Sequence, residues 1–282
     1  MSQPFEPGKS PVLPIVESSS PSEKSRKMRR TTTSTGSRLK QNIDSNYADL
    51  ICVVLCFLTG LCDSSAFNAW SCFLAMQTGN TIVLGLGASN LPRDSPYGWL
   101  KSLVSISCFL SGSFCFSRAG RWLGPTRRGT LFASFMAQVA LIVIAVALIQ
   151  AGLIPQPASS DVSSHQHHPL LDLIPIGLLA FQSAGSINST RSLGYNEIPS
   201  VVITSVYFDI ASDMNIFAGK NVKRNRRVAG VVMLLIGAIV GGWLNRSDGG
   251  MASTFWLAAG IKFLIGCGWL VWAPVKGPGE GN

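Results

Sequence analysis

MASTFWLAAGIKFLIGCGWLVWAP, residues 251–274, is long enough to cross a bilayer and carries one lysine, Lys262, near its middle. A spanning helix needs about 20 predominantly apolar residues, and a charge at its centre costs at least ~2.5 kcal/mol on insertion scales. Such a lysine is tolerated where it faces a partner, a cavity or a ligand. From the centre of a ~30 Å hydrocarbon core its side chain hardly reaches the interface. The stretch therefore points to an all-α integral membrane protein with a polar interior.

Composition agrees. Of 282 residues, 47% are hydrophobic and only 13% are charged, against roughly 25% charged in a soluble domain. That is too little charge to solvate a globule of this size, and the 28 glycines suit helices whose backbones approach closely within a bilayer. The chain divides into a basic, Ser/Thr-rich arm over residues 1–46, a multi-pass domain over 47–274 and a short tail over 275–282.

The arm has too few large apolar residues to offset the entropy of ordering, which predicts disorder. Its cluster Lys24, Arg26, Lys27, Arg29 and Arg30 suits contact with anionic lipid; the plainer reading is a solvated tail that marks orientation. No cleavable signal peptide is expected, because the first residues lack an apolar run.

Six strong apolar stretches follow, near residues 48–67, 100–119, 129–152, 169–187, 228–245 and 251–273. Two weaker ones, 69–88 and 198–214, are interrupted by polar and turn-forming residues. The densest loop charges are Arg118, Arg121, Arg127 and Arg128, then Lys220, Lys223, Arg224, Arg226 and Arg227. Positive loops mark the cytoplasmic side. If the arm is also inside, an even number of crossings separates it from Arg118, so the weaker stretches are broken or re-entrant rather than full spans. The expectation is about six transmembrane helices plus two broken segments, both termini cytoplasmic and the Lys- and Arg-free linker near 156–168 outside. The +9 net charge is then explained by topology, and nucleic acid is not expected as a partner. Residues 47–152 and 169–274 each read as helix, broken segment, helix, turn, helix, which predicts an inverted 3+3 repeat of the kind several secondary transporters share. At residue level the match is little more than Thr78 against Thr204.

The most specific string is FLAMQTGNTIVLGLG, residues 73–87, preceded by GLCDSSAF, residues 60–67. A first-helix Gly and Asp ahead of Met76-Gln77-Thr78-Gly79-Asn80 resembles the YoaK-like multi-pass membrane proteins of unknown function. FQSAGSINSTRS, residues 181–192, followed by IPSVVITSVYFDIASD, residues 198–213, looks like that family's second block. The resemblance covers roughly residues 45–273 and implies a multi-helix membrane fold without an assigned activity.

Thr78-Gly79-Asn80 suits a helix break, since glycine opens backbone geometry and the flanking side chains can bond freed backbone groups. The candidate substrate-binding residues are Asp63, Gln77, Thr78, Gly79, Asn80, Gln182, Thr204, Asp209 and Lys262; the alternative is a buried turn whose polar groups satisfy one another. Lys262 is expected to pair with Asp63 or Asp209, the acids embedded in apolar stretches. The seven cysteines all lie in or beside apolar segments and read as small buried hydrophobes rather than a disulfide framework. Cys52 and Cys56 form an incomplete metal site, and His165, His167 and His168 read as polar linker. No nucleophile elbow, zinc helix or phosphate loop appears, so neither enzymatic activity nor a cofactor is expected. Three readings remain in this order: a transporter of a small solute or ion, a non-transporting scaffold or lipid-binding protein, and a membrane enzyme, which the absence of those motifs places last. In intact cells with the protein at the surface, a cysteine placed at Ser160 is expected to react with an impermeant thiol reagent, and one at Thr126 is not. The reverse pattern overturns the topology.

Overall fold

A helix that leaves its hydrogen-bond ladder away from water must satisfy its backbone within the protein, and the residues that follow the first long helix of this chain do so. The computed structural model describes residues 38–91, 97–152, 170–198 and 203–275, all within one unit, Thr35–Asn282. The linker near 156–168 and the arm up to residue 37 lie outside the described residues. Eight helices follow in order: α1 Ala48–Trp70, α2 Gln77–Gly87, α3 Gly98–Leu123, α4 Arg128–Gln150, α5 Leu173–Ser192, α6 Ile203–Ala211, α7 Val222–Asn245 and α8 Gly250–Val271. No β-strand occurs among the described residues.

Helices α1, α3, α4, α7 and α8 are long and apolar enough to cross a membrane. α5, with 20 residues, spends its second half on QSAGSINSTRS and falls outside that group. α2 has 11 residues and α6 has nine, or about 16 and 13 Å at 1.5 Å per residue, against a ~30 Å hydrocarbon core. Neither α2 nor α6 is long enough to cross that core by itself.

Contacts fix the helix directions. α1 and α7 run parallel, with Asp49 meeting Arg226 near their starts and Ser65 meeting Asn245 near their ends. α3 and α5 also run parallel, from Lys101–Asp172 to Ser117–Asn188. α8 opposes both α1 and α4. Trp272 reaches Asp44 and Arg128, while Phe255 stacks on Trp70 and Trp256 bonds Gln150. A tight turn at 124–127 reverses the chain between α3 and α4. The six long helices therefore alternate in direction along the sequence.

That alternation makes the second half an inverted copy of the first. A shift of 122 residues carries the ends of α1 and α3, Trp70 and Leu123, onto the ends of α5 and α7, Ser192 and Asn245. The packing exchanges in step: α1 on α7 becomes α5 on α3, α2 on α3 becomes α6 on α7, and α4 on α5 becomes α8 on α1. Each parallel pair also begins with an ion pair, Asp49–Arg226 at 3.0 Å and Asp172–Lys101 at 2.7 Å.

Both basic loops gather at one end of the bundle with the two ends of the described domain. Asn42 bridges to Arg127 and Ile43 to Pro274, and Ile43, inside the stretch read as arm, is buried. Arg226 pairs there with Glu197 as well as Asp49.

The α1–α7 contact is the closest in the bundle because both helices present glycine. A Cβ on Gly60 would sit 2.0 Å from the Leu234 carbonyl oxygen, and one on Gly237 would sit 2.0 Å from that of Phe57. Gly237 and Gly241 form a small-xxx-small face that lets van der Waals packing act at short range. Gly242, one position on, has nothing within 4 Å of its would-be Cβ. Gly237→Leu is expected to lower stability in detergent by at least about 1–3 kcal/mol through overpacking, with Gly242→Leu within about 0.5 kcal/mol of the parent. Equal loss at both sites, read by thermal unfolding, would rule out the glycine contact as the seam.

Candidate functional site

The break lies at residues 71–76, between α1 and α2, and not at Thr78-Gly79-Asn80, which form the first turn of α2. The triplet shapes the bend from the helix side. Asn80, fully buried, accepts from the Phe73 N–H at 2.9 Å and donates to the Phe73 carbonyl at 2.7 Å, as a neighbouring strand would. Gly79 leaves room for the Phe73 ring, whose atoms would lie 2.7 Å from a Cβ there.

Asp63 supplies the rest. Only 2% exposed on α1, its carboxylate accepts from the backbone N–H groups of Leu74, Ala75 and Met76 at 2.8, 2.9 and 3.1 Å. The Leu74 carbonyl receives the Gln77 amide and the Ser183 hydroxyl, both at 2.9 Å. Ser105 donates to the Phe73 carbonyl at 2.7 Å. A charged acceptor holding three amides makes stronger bonds than neutral ones, so the carboxylate is already committed to the backbone.

Lys262 does not pair with either acid. Its ammonium, 2% exposed, donates to Gln138 Oε1 at 2.8 Å, Gln182 Oε1 at 2.6 Å and Ser186 Oγ at 2.9 Å. Three donors meet three neutral oxygens from α4 and α5, which satisfies the group without a counter-ion. Asp209 binds Arg227 at 3.1 Å. Asp63, Gln182 and Lys262 do border one small cavity with Cys62 and Ser186, but its volume is about 10 Å³, the room one water needs.

The remaining candidates separate. Gln77, Thr78 and Asp209 line a second, open cleft of about 680 Å³ between α2, α3, α5, the loop at 195–198 and α6. Gln77 joins the cleft to the bend, since its amide also bonds the Leu74 carbonyl, Asn80 and Ser105. Thr204 is exposed and lines neither.

The sequence reading missed Gln138, Ser186, Ser105 and the loop residues Tyr195 and Glu197. Gln138 had a signal, as an amide well inside an otherwise apolar helix; Ser186 lies four residues after Gln182, on the same face. Tyr195 donates to the Ser45 carbonyl at 2.6 Å, and burial raises its pKa above the ordinary phenol value, so it stays a donor. Its ring lies under the Arg226 guanidinium, 4.7 Å away. None of the seven cysteines forms a disulfide; Cys52, Cys56, Cys62 and Cys72 are buried, Cys108 and Cys267 half-buried, and Cys115 exposed.

A family model described as protein of unknown function (DUF1275) matches residues 51–268. The chain belongs to the DUF1275 family. The match spans Asp63, both broken segments and Lys262, so the bend, the lysine cluster and the cleft all fall inside the family region. Neither a curated protein nor a solved structure matches the chain.

Because the oxygens around Lys262 are neutral, its loss leaves no uncompensated charge. Lys262→Met is expected to cost about 1–3 kcal/mol for acceptors left unsatisfied, below the 3–5 kcal/mol of a broken buried ion pair. Adding Asp63→Asn, which weakens the bend, is expected to deepen the loss. Thermal unfolding of the two single variants and the double variant in detergent checks this, and recovery in the double variant would restore the direct-pair idea.

Proposed function

We propose that this protein moves a small solute across the membrane through the cleft bordered by α2 and α6. One observation carries the reading: the two half-length helices, which occupy equivalent places in the inverted halves, both line a single cleft. Gln77 and Thr78 come from α2, and Ser205, Val206 and Asp209 from α6. Where transporters are built from inverted repeats, interrupted helices in corresponding positions frame the binding site.

The cleft runs from the bundle's basic end, where Arg191 and residues 195–198 lie, toward Phe109 and Ser113 near the middle of α3. Under the positive-inside rule that end faces the cytoplasm, so this conformer is open inward. Both termini are cytoplasmic in the same reading, and the arm contacts anionic lipid. No chemistry on the solute is implied. Met76 to Asn80 supports placing the chain in the YoaK-like group of its family.

A scaffold is the second reading, and the small, fully hydrogen-bonded lysine cluster favours it. Lys262 has all three donors satisfied and borders space for about one water, as a group that fixes a fold would. The cleft separates the two readings. Purified protein in vesicles is expected to admit some members of a panel of neutral, anionic and cationic solutes faster than protein-free vesicles, read by swelling or tracer uptake. Ser113→Trp, which fills the cleft from half-buried α3 surface, is expected to cut that rate at least tenfold. If no solute enters faster than in protein-free vesicles, the scaffold reading stands.

A further inference from the structure

We infer that the cleft takes a small organic anion, held through its charged group by Arg191. The inference rests on the cleft proposed above as the transport site, but not on transport itself. Two acids and one base on the cleft wall carry charge: Glu197, Asp209 and Arg191. Both acids are already answered from outside the wall. Glu197 accepts from Arg226 at 3.2 Å and Asp209 from Arg227 at 3.1 Å. Arg226 is itself fixed by Asp49 and by the Tyr195 ring. Arg191, exposed at the end of α5, has no ion-pair partner among the described residues. Arg191 is therefore the charged group of the cleft wall left without an ion-pair partner among the described residues.

The guanidinium is a planar fork that binds carboxylate, phosphate or sulfate through two parallel hydrogen bonds. Phe109, Ile187, Ile198 and Val206 give the same cleft an apolar wall, and its ~680 Å³ lies in the range of metabolite-sized pockets. A bare inorganic anion would leave that wall empty, and a cation would meet only acids already paired. An anionic group on a compact apolar body fits both features. A soluble organic acid and an anionic lipid headgroup share that chemistry.

The test uses full-length protein in neutral detergent, with benzoate and phenyl phosphate as probes, benzyl alcohol as neutral isostere and inorganic phosphate as the anion without a body. Calorimetry is expected to show binding of at least one aromatic anion, at least tenfold weaker benzyl alcohol and inorganic phosphate, and at least tenfold loss in Arg191→Gln. Arg191→Lys is expected to recover part of it. Because Arg191 is exposed and has no ion-pair partner among the described residues, both variants are expected to unfold like the parent. Displacement of the probe by phosphatidylglycerol, but not by phosphatidylcholine, assigns the anion to lipid; failure to displace assigns it to a soluble acid. Equal affinity for benzyl alcohol, unchanged affinity in Arg191→Gln, or no binding by any probe overturns the inference. Arg191-dependent binding without uptake leaves the anion site standing and removes transport; uptake of neutral solutes indifferent to Arg191 does the reverse.

Discussion

The architecture turns on where the backbone at residues 73–76 finds its hydrogen bonds. Each unpaired amide or carbonyl at membrane depth costs several kcal/mol, so a bend there survives only if every group has a partner. The four N–H groups go to Asn80 and Asp63, and the first two carbonyls go to Asn80, Ser105, Gln77 and Ser183. The carbonyls of Ala75 and Met76 accept from the amides of Gln77 and Gly79. The partners come from α1, α2, α3 and α5, so the bend also clamps those helices together. A short α2 can then follow α1, and the six long helices alternate in direction around it.

The inverted halves share packing and diverge in their polar residues. Seams, ion pairs and helix ends correspond, because backbone geometry and small residues set them. At the position 122 residues after Asp63 stands Gly185, and a Cβ there would lie 2.7 Å from Gln138. Where the first half places a carboxylate to hold its bend, the second half leaves room for the amide that receives Lys262. The two devices meet at one small cavity, so a single location ties the bend of one half to the α4–α5–α8 junction.

Much of this was legible in the sequence. Apolar length marked the long helices, and the polar and turn-forming residues within 69–88 and 198–214 marked the places where only the short helices α2 and α6 form. Met76 to Asn80 marked the bend but misplaced it by a few residues. The triplet looked like the break itself, whereas its side chains reach back across the preceding loop. Lys262 announced a buried partner and misled about its kind. Charge complementarity singles out acids in a sequence, while a shell of neutral oxygens drawn from two other helices leaves no linear signature. The cleft was the least visible, because its walls come from four helices and a loop whose adjacency depends on the parallel pairing of α3 with α5, which no local pattern encodes.

Charge is partitioned between these places according to the solvent each one meets. In the interior, desolvation penalises ions so heavily that a direct pair often gains little over neutral contacts. Asp63 and Lys262 are accordingly met by amides, carbonyl oxygens and a hydroxyl, whose dipoles are fixed by helices already packed for other reasons. At the basic end, water screens the ions, and Asp49, Glu197 and Asp209 pair with arginines from α7 at little cost. Those pairs are weak as sources of stability, but they give each acid beside the cleft a cationic partner, Arg226 serving both Asp49 and Glu197. The arginines of α7 thus occupy the acids from outside the cleft wall, and Arg191 on α5 is the charged group there left open to a solute.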